Sequence, residues 1–171
     1  MQDVRLTPTS YIVLGFLELA GGGTPYELKK AVGVSVGNFW SLQHAQLYTE
    51  PERLTKAGYL TEKREKGGRR RKRYALTERG RRALREWRNE PTDELSELRD
   101  PGLLKLFFGA DPAELAAVQL EAHKRKLREY EELRASDPGT GPRGPWVALD
   151  AGIAHERVWV RYWSELSRAP S

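Results

Sequence analysis

The sequence predicts a mainly α-helical fold in which one short β-hairpin interrupts a series of helices. Apolar residues recur at helical spacing along most of the chain. Residues 59–64 and 74–76 instead have the composition of paired strands, with Gly67-Gly68 between them as a turn. A segment rich in proline and glycine, residues 137–145, separates two long helical patterns. This order of elements indicates an N-terminal winged helix-turn-helix followed by a C-terminal helical domain.

Capping residues mark the first two helices. Pro8-Thr9-Ser10 provides the start signals for a helix that is apolar on nearly every side, and Gly21-Gly22-Gly23 ends it. Such a helix is normally the central, buried one. Thr24 is expected to cap a second helix that begins at Pro25. Four apolar residues of this second helix are expected to face the first: Tyr26, Leu28, Ala31 and Val32.

The third predicted helix, from Ser41 to Ala57, is amphipathic. Leu47 and Leu54 lie on its apolar side together with Ala57. The remaining surface is rich in amide and hydroxyl groups, which match the hydrogen-bonding groups of DNA base edges. An ordinary surface helix would look similar in isolation. The DNA interpretation therefore depends on the basic segment that follows.

Pro51 disturbs this third helix. Proline has no amide hydrogen to bond the carbonyl oxygen of Leu47, and inside a regular helix it costs about 3 kcal/mol or more. We therefore expect a kink or break near Glu50. Alternatively, the helix begins close to Pro51 and the preceding turn is a separate piece.

The predicted hairpin tip, residues 65–73, is the most basic part of the chain. It ends in five consecutive cations: Arg69, Arg70, Arg71, Lys72 and Arg73. A cationic wing of this kind suits the DNA backbone or the minor groove. Residues 1–90 contain 18 Lys and Arg against 10 Asp and Glu, whereas residues 91–171 contain 11 against 14. The first half therefore favours a polyanionic partner, although basic surfaces also occur only to confer solubility.

A fourth helix is expected after the hairpin, with Thr77 as its cap and its end near Asn89. Its expected buried residues are Ala83, Leu84 and Trp87. The polar, proline-containing segment that follows predicts a boundary between a DNA-binding domain, residues 1–90, and a helical dimerisation domain, residues 91–171.

Three helices are predicted beyond that boundary. A short apolar helix ends at Gly109, and a long helix extends from Pro112 to about Ala135. The last helix extends from about Trp146 to Leu166. The two long helices form an antiparallel pair that buries too little apolar surface to be stable alone.

This helix pair needs a partner, and a second copy of the chain is the simplest one. The alternative is a monomer whose helices fold back on the first domain. The homodimer is favoured because a palindromic DNA site is read by two copies. The stripe expected at the dimer interface comprises Leu120, Leu127, Tyr130, Trp146, Leu149, Ile153, Val160 and Trp163.

Aromatic side chains in the second half suggest a slot for a small aromatic effector. The candidate pocket comprises Phe107, Trp159 and Trp163. The alternative is that these side chains are simply dimer core. His123 and Glu156 interrupt the apolar stripes, and a buried polar group of this kind fixes helix register or contacts an effector.

The sequence favours neither an enzyme nor a membrane protein. It has no cysteine, and its three histidines have no metal-ligand spacing, so we expect no catalytic residue, no metal and no cofactor. No nucleophile elbow or phosphate-binding loop is present. No segment approaches the roughly 18 to 20 apolar residues that span a bilayer, and no signal peptide is evident. We expect a soluble, cytoplasmic protein.

Several short motifs resemble those of PadR-type transcriptional regulators. They are Leu6–Tyr11 with Val13–Gly15, Tyr26–Lys30, Asn38–Trp40 with His44, Gln46 and Tyr48, Arg53-Leu54, Gly58–Leu60, Tyr74–Thr77 and Gly80. In the second half, Lys105–Phe108 resembles the C-terminal dimerisation domain of one branch of that family. Pro51 departs from the pattern, because such helices usually carry leucine there.

The resemblance implies a homodimeric repressor whose release from double-stranded DNA is often controlled by a small molecule. It implies that the recognition helix uses Gln43, His44, Gln46, Tyr48 and Thr49. Tyr48 would contact phosphate, and Lys56 and the five wing cations would add phosphate affinity. The alternatives are a winged-helix docking module for protein partners and an RNA-binding winged helix, and the basic wing argues against the docking module.

Overall fold

The computed structural model describes residues 4–64 and 71–168 and divides the chain into two compact units, Met1–Glu94 and Leu95–Ser171. The predicted fold class is confirmed, because the structure is mainly helical with one antiparallel two-stranded hairpin. The elements are α1 (Pro8–Leu19), α2 (Pro25–Gly33), a 3₁₀ turn (Val36–Asn38), α3 (Gln46–Lys56), β1 (Leu60–Arg64), β2 (Lys72–Leu76), α4 (Glu78–Asn89), α5 (Pro101–Phe107), α6 (Pro112–Ala135) and α7 (Gly144–Leu166).

Side-chain caps begin three helices of the first unit, α1, α2 and α4. Thr7 caps α1 and exchanges hydrogen bonds with Ser10 in a capping box, so the cap lies two residues before Thr9. Thr24 caps α2 and Thr77 caps α4, as the sequence predicts. These caps satisfy amide groups that have no partner inside the helix.

The first unit is built around α1, whose central position is confirmed. Val13, Leu14 and Leu17 are 1% exposed or less, and they pack into one core with residues from α2, α3, both strands and α4. Leu28 and Val32 are the buried residues of α2, whereas the prediction for Tyr26 is wrong. Tyr26 is 68% exposed, because α2 directs only one narrow side towards α1.

The hairpin pairs in a simple antiparallel register, from Leu60 opposite Leu76 to Arg64 opposite Lys72. Gly23 adds a third, very short pairing, since its amide and carbonyl both bond to Tyr74 of β2 at 2.9 and 2.8 Å. Gly22 has φ +113°, and a Cβ there would lie 2.9 Å from the Tyr74 carbonyl oxygen. The glycine run therefore both ends α1 and supports the hairpin.

The structure corrects the start of the third helix. The segment 41–43 has no regular structure, residues 44–45 form a turn, and α3 begins only at Gln46. The predicted break near Glu50 is also wrong, because α3 continues through Pro51 to Lys56. Pro51 lies only five residues after the helix start, so a single backbone hydrogen bond, to Leu47, is lost inside the helix. The predicted kink stays a prediction.

The second unit contains α5, α6 and α7. Helices α6 and α7 pack antiparallel, and the ion pairs Arg134–Asp150 and Glu131–Arg157 join them at 2.7 and 2.8 Å. Helix α7 begins at Gly144, two residues before the predicted start. Helix α6 begins at Pro112 and ends at Ala135, as predicted.

Candidate nucleic-acid interface

Helix α3 has one buried and one open side. Leu47, Pro51 and Leu54 are buried against the core. The exposed residues of the helix are Gln46, Tyr48, Thr49, Glu52 and Lys56. The open side therefore carries amide, phenol, hydroxyl and ammonium groups, which suit contacts to bases and phosphates.

Gln43 and His44 precede the helix rather than lie on it. Their carbonyl oxygens accept from the amides of Gln46 and Leu47 at 2.9 and 3.1 Å, so the turn leads directly into α3. Both side chains are exposed. The structure thus brings Gln43, His44 and Gln46 together at the N-terminal end of α3, although the sequence predicts one continuous helix.

A polar network attaches α3 to the start of α1. The Ser10 hydroxyl donates to Glu50 Oε1 at 2.6 Å, and Arg53 donates to both carboxylate oxygens of Glu50 at 2.6 and 2.8 Å. Arg53 also donates to Ser10 Oγ at 3.0 Å and to the carbonyl oxygen of Arg5 at 3.3 Å. Ser10 is fully buried. We name Ser10, Glu50 and Arg53 the α1–α3 clamp.

The clamp keeps Glu50 ionised. Burial alone would raise the pKa of this carboxyl group, but hydrogen bonds from Arg53 and Ser10 and the charge of Arg53 outweigh it and hold the pKa below its usual value. The clamp was not predicted from the sequence. The i, i+3 spacing of Glu50 and Arg53 permits an ion pair, but no local signal links that pair to Ser10.

The base of the hairpin is held by acidic partners. Lys72 Nζ lies 2.5 Å from Glu52 Oε1 and 3.4 Å from Glu62 Oε2. Arg73 donates to the carbonyl oxygen of Gly22 at 3.1 Å and lies 3.5 Å from Glu27 Oε2. Lys72 and Arg73 therefore lie in β2 and pair with side chains of the same protein. This corrects the prediction that they belong to the hairpin tip.

Arg71 directly precedes β2 and is exposed. It forms no hydrogen bond or ion pair with any residue in 4–64 or 71–168. The predicted contacts Arg69 and Arg70 lie outside the described residues. Tyr74 of β2 is buried, which raises its pKa to about 12. Its hydroxyl therefore stays protonated and donates to Glu62 at 3.3 Å.

A groove of about 710 Å³ connects these elements. Its lining comes from the start of α2, the exposed side of α3 and the base of the wing: Thr24, Pro25, Tyr26, Tyr48, Glu52, Arg71, Lys72 and Tyr74. Two exposed tyrosines and Arg71 offer hydroxyl and guanidinium donors along it, which suit phosphate oxygens.

The eight residues predicted for the dimer interface are buried or half-buried in the single chain. Ile153 and Trp163 are buried, at 6% and 0% exposure. The other six, Leu120, Leu127, Tyr130, Trp146, Leu149 and Val160, are half-buried. The stripe therefore already serves packing within one chain.

The two polar residues that interrupt the apolar stripes, His123 and Glu156, contact each other. His123 Nδ1 of α6 lies 2.6 Å from Glu156 Oε2 of α7, and the His123 ring stacks on Trp159 at 5.7 Å. Trp159 stacks in turn on Trp163 at 6.1 Å. Phe107 is 82% exposed, and its ring packs edge-on against Phe108, with the ring centroids 5.2 Å apart. The structure thus brings together two of the three predicted pocket residues.

Two features are absent from the parts of the chain that the structure describes. Residues 4–64 and 71–168 contain no cluster of His, Asp and Glu that could hold a metal ion. Over the same ranges no helix has the length and apolar character needed to cross a membrane.

A winged helix-turn-helix followed by a helical unit is an architecture of transcriptional regulators. Comparison with known proteins gives the same class. Residues 13–86 match the transcriptional regulator PadR-like family, and residues 98–169 match the virulence activator alpha C-terminal family. The negative transcriptional regulator PadR of Bacillus subtilis (strain 168) is 32% identical over 172 residues, which cover 89% of this chain and 91% of that protein.

Solved structures give the same result. Bacillus subtilis PadR in complex with operator DNA matches with a TM-score of 0.81 at 26% identity, over 97% of this chain and 100% of that chain. The same protein in complex with p-coumaric acid matches with a TM-score of 0.74 at 22% identity, over 95% and 97%. The chain belongs to the PadR-like family of transcriptional regulators. The expectation that it is not an enzyme is confirmed by this family.

Proposed function

We propose that this regulator is a homodimeric repressor that binds a palindromic operator and is released by a small aromatic effector. The observation that carries the DNA-binding part is the open side of α3, which shares one groove with Arg71 of the wing. The 32% identical relative is named a negative regulator, and a structure of that protein contains operator DNA.

The contacts divide into two groups by their chemistry. Gln43, His44 and Gln46 stand together at the N-terminal end of α3, which is the part of a recognition helix that reads base edges. Tyr48, Thr49, Lys56 and Arg71, together with Arg69 and Arg70, supply phosphate contacts, which position the protein and make affinity salt-dependent.

The dimer surface follows from the open side of α7. Five small, apolar or aromatic residues at steps of three or four are all exposed and define the α7 stripe: Val147, Ala151, Ala154, Val158 and Tyr162. Val147 and Val158 are 63% and 52% exposed. This stripe lies opposite Ile153 and Trp163, so a second copy can cover it without opening the α6–α7 pair.

An effector site is proposed at the tryptophan cluster of the second unit. Trp163 Nε1 is buried and no described residue accepts its hydrogen, while Trp159 and His123 provide flat faces beside it. An aromatic ligand with an oxygen acceptor matches these groups, and Phe107 stays a proposed further contact. Bacillus subtilis PadR has been crystallised with p-coumaric acid, which has this chemistry.

The test of the DNA-binding function is a fluorescence-anisotropy titration against DNA from upstream of the gene and against scrambled DNA, at several salt concentrations. We expect preferential binding of the upstream DNA by two chains per duplex. Gln46→Ala should cost about 1 to 3 kcal/mol on the operator and little on scrambled DNA. Arg71→Gln should weaken binding to both and flatten the salt slope by about 1.

Arg82→Gln is the matched control, because Arg82 is exposed on α4 and does not line the groove. Equal losses on both DNAs for Gln46→Ala would contradict its role in base reading. No binding of either DNA at low salt would contradict the proposed function and favour a docking module.

A further inference from the structure

Glu52 is an unexpected residue for a surface that meets DNA. It lies one turn after Tyr48 and one turn before Lys56, so all three residues share the open side of α3. Its side chain is 47% exposed and lines the groove. A carboxylate at this place repels the phosphate backbone, so a DNA-binding helix needs a reason to carry it.

The partner of Glu52 supplies that reason. Lys72 Nζ, at the start of β2, lies 2.5 Å from Glu52 Oε1, and this contact joins the recognition helix to the base of the wing. The hydrogen bond that Lys72 donates, together with its charge, holds the pKa of Glu52 below its usual value. Glu62 on β1 faces the same ammonium group at 3.4 Å. Lys72 is therefore neutralised from two sides.

The next wing residue is attached to a different helix. Arg73 pairs with Glu27 of α2 and donates to the carbonyl oxygen of Gly22. Helices α2 and α3 of the helix-turn-helix thus bind consecutive residues of β2. Glu27 of α2 pairs with Arg73, and Glu52 of α3 pairs with Lys72. Arg71, one residue earlier, forms no hydrogen bond or ion pair with a described residue, although its charge also acts on Glu27.

We propose that Glu52 is a specificity-determining and positioning residue of the DNA-binding surface. Its ion pair with Lys72 fixes the wing relative to the recognition helix, so that base contacts and wing contacts form in one geometry. It also prevents Lys72 from adding phosphate affinity that is independent of sequence. This inference rests on the proposed DNA-binding function.

The charge of Glu52 controls whether Lys72 can bind a phosphate. When Glu52 is replaced by glutamine, Lys72 loses its closest anion and becomes available to a phosphate. Each additional phosphate contact steepens the salt dependence of DNA binding by about 0.9 in slope. Affinity for random DNA then increases, while operator affinity gains less, because the wing is no longer held in the reading geometry.

The experiment is a double-mutant cycle in the full chain, with Glu52→Gln, Lys72→Met and the double variant. Operator and scrambled DNA are titrated across a series of salt concentrations. Glu86→Gln is the matched control, because it removes the same charge from an exposed position on α4. Circular dichroism and thermal unfolding check that each variant is folded.

We expect Glu52→Gln to raise affinity for scrambled DNA about two- to five-fold more than Glu86→Gln does. The ratio of operator to scrambled affinity should fall by a similar factor, and the salt slope should steepen by about 1. Lys72→Met alone should lower affinity for both DNAs, because it uncovers the Glu52 carboxylate, but it should leave the salt slope unchanged, since no phosphate contact is lost. In the double variant it should cancel the gain in scrambled-DNA affinity.

Two results overturn the inference while the proposed function stands. In the first, Glu52→Gln and Glu86→Gln behave alike on both DNAs. In the second, Lys72→Met alone flattens the salt slope by about 1, as Arg71→Gln does, which would make Lys72 an ordinary phosphate contact. Failure of the unsubstituted protein to bind DNA would overturn both the inference and the proposed function.

Discussion

The two units of this protein bury their apolar side chains in different ways. The first unit has a core of thirteen buried apolar residues, drawn from α1, α2, α3, the hairpin, α4 and the turn that follows α3. In the described part of the second unit, the buried apolar residues are Ala116, Ile153 and Trp163. Val118, Val147, Val158, Phe107 and Phe108 of that unit are all more than half exposed.

This difference shows where each unit obtains its stability. The first unit has a closed core around α1, although some of its apolar side chains, such as Val34 and Phe39 at 66% each, are also exposed. The second unit leaves apolar surface in contact with water, and such surface marks an interaction site. Association of two copies through the α7 stripe would bury it, so that stability of the second unit and operator reading both depend on chain concentration.

The most damaging change should be a charge on the α7 stripe. Ala154→Glu places a carboxylate in the middle of this exposed apolar surface. We expect loss of the dimer and a fall in operator affinity of about 100-fold or more, because one DNA-binding domain then binds without the second. Sedimentation measures the dimer and anisotropy the affinity. Ala148→Glu, on an exposed site to one side of the stripe, is the control, and an unchanged dimer in Ala154→Glu would contradict the proposed surface.

Tryptophan substitutions compare the interiors of the two units directly. Trp163→Ala removes a fully buried side chain, and we expect it to lower the free energy of unfolding by about 3 to 5 kcal/mol. Trp87→Ala removes a side chain that is 44% exposed and stacks on Tyr11 at 4.6 Å. Its cost should be about 1 to 2 kcal/mol. Urea denaturation measures both, and equal losses would show that the second unit does not depend on its few buried residues.

A glycine pair tests how closely the first unit is packed. A Cβ at Gly80 of α4 would lie 2.3 Å from the Tyr59 carbonyl oxygen, so backbone must move. Gly80→Ala should cost about 1 to 3 kcal/mol. Nothing lies within 4 Å of a Cβ at Gly33, and Gly33→Ala should be neutral or stabilise by about 0.4 to 1 kcal/mol. Thermal unfolding that ranks the two variants in the opposite order would contradict this packing.

Local features of the fold were predictable from the sequence because their causes are local. Thr24 and Thr77 precede their helices by one residue, and Gly67-Gly68 marked the hairpin. The start of α3 was not predictable in this way. Ser41 is an acceptable cap by type, but the chain turns at residues 44–45, and only the position of α3 on the core decides where the helix begins.

The candidate site was predictable in composition but not in pairing. A run of five cations indicated a wing, yet Lys72 and Arg73 meet Glu52 and Glu27, which are 20 and 46 residues away in sequence. Such contacts depend on how the hairpin packs against α2 and α3. The same holds for Ser10 and Glu50, which are 40 residues apart and have no common local pattern.

The α1–α3 clamp gives a modest effect, but one that has its own dependence on pH. Glu50→Gln keeps the shape but removes the charge that Arg53 and Ser10 stabilise, so we expect a loss of about 1 to 2 kcal/mol near neutral pH. The pKa of Glu50 is lower in the folded chain than its ordinary value of 4.5. Its contribution is therefore complete above about pH 4.5 and is lost as the pH falls through the folded-state pKa.

The difference between the unsubstituted protein and Glu50→Gln should accordingly shrink as acid is added, because the unsubstituted protein loses the charge as well. Urea denaturation at a series of pH values between about 7 and 3 measures it, with Glu86→Gln as the control for a single exposed charge. A difference that stays constant over this range would mean that the Glu50 side chain acts through its shape. In that case α3 would be held on α1 by packing alone, and the charge of the clamp would have no part in presenting the recognition helix.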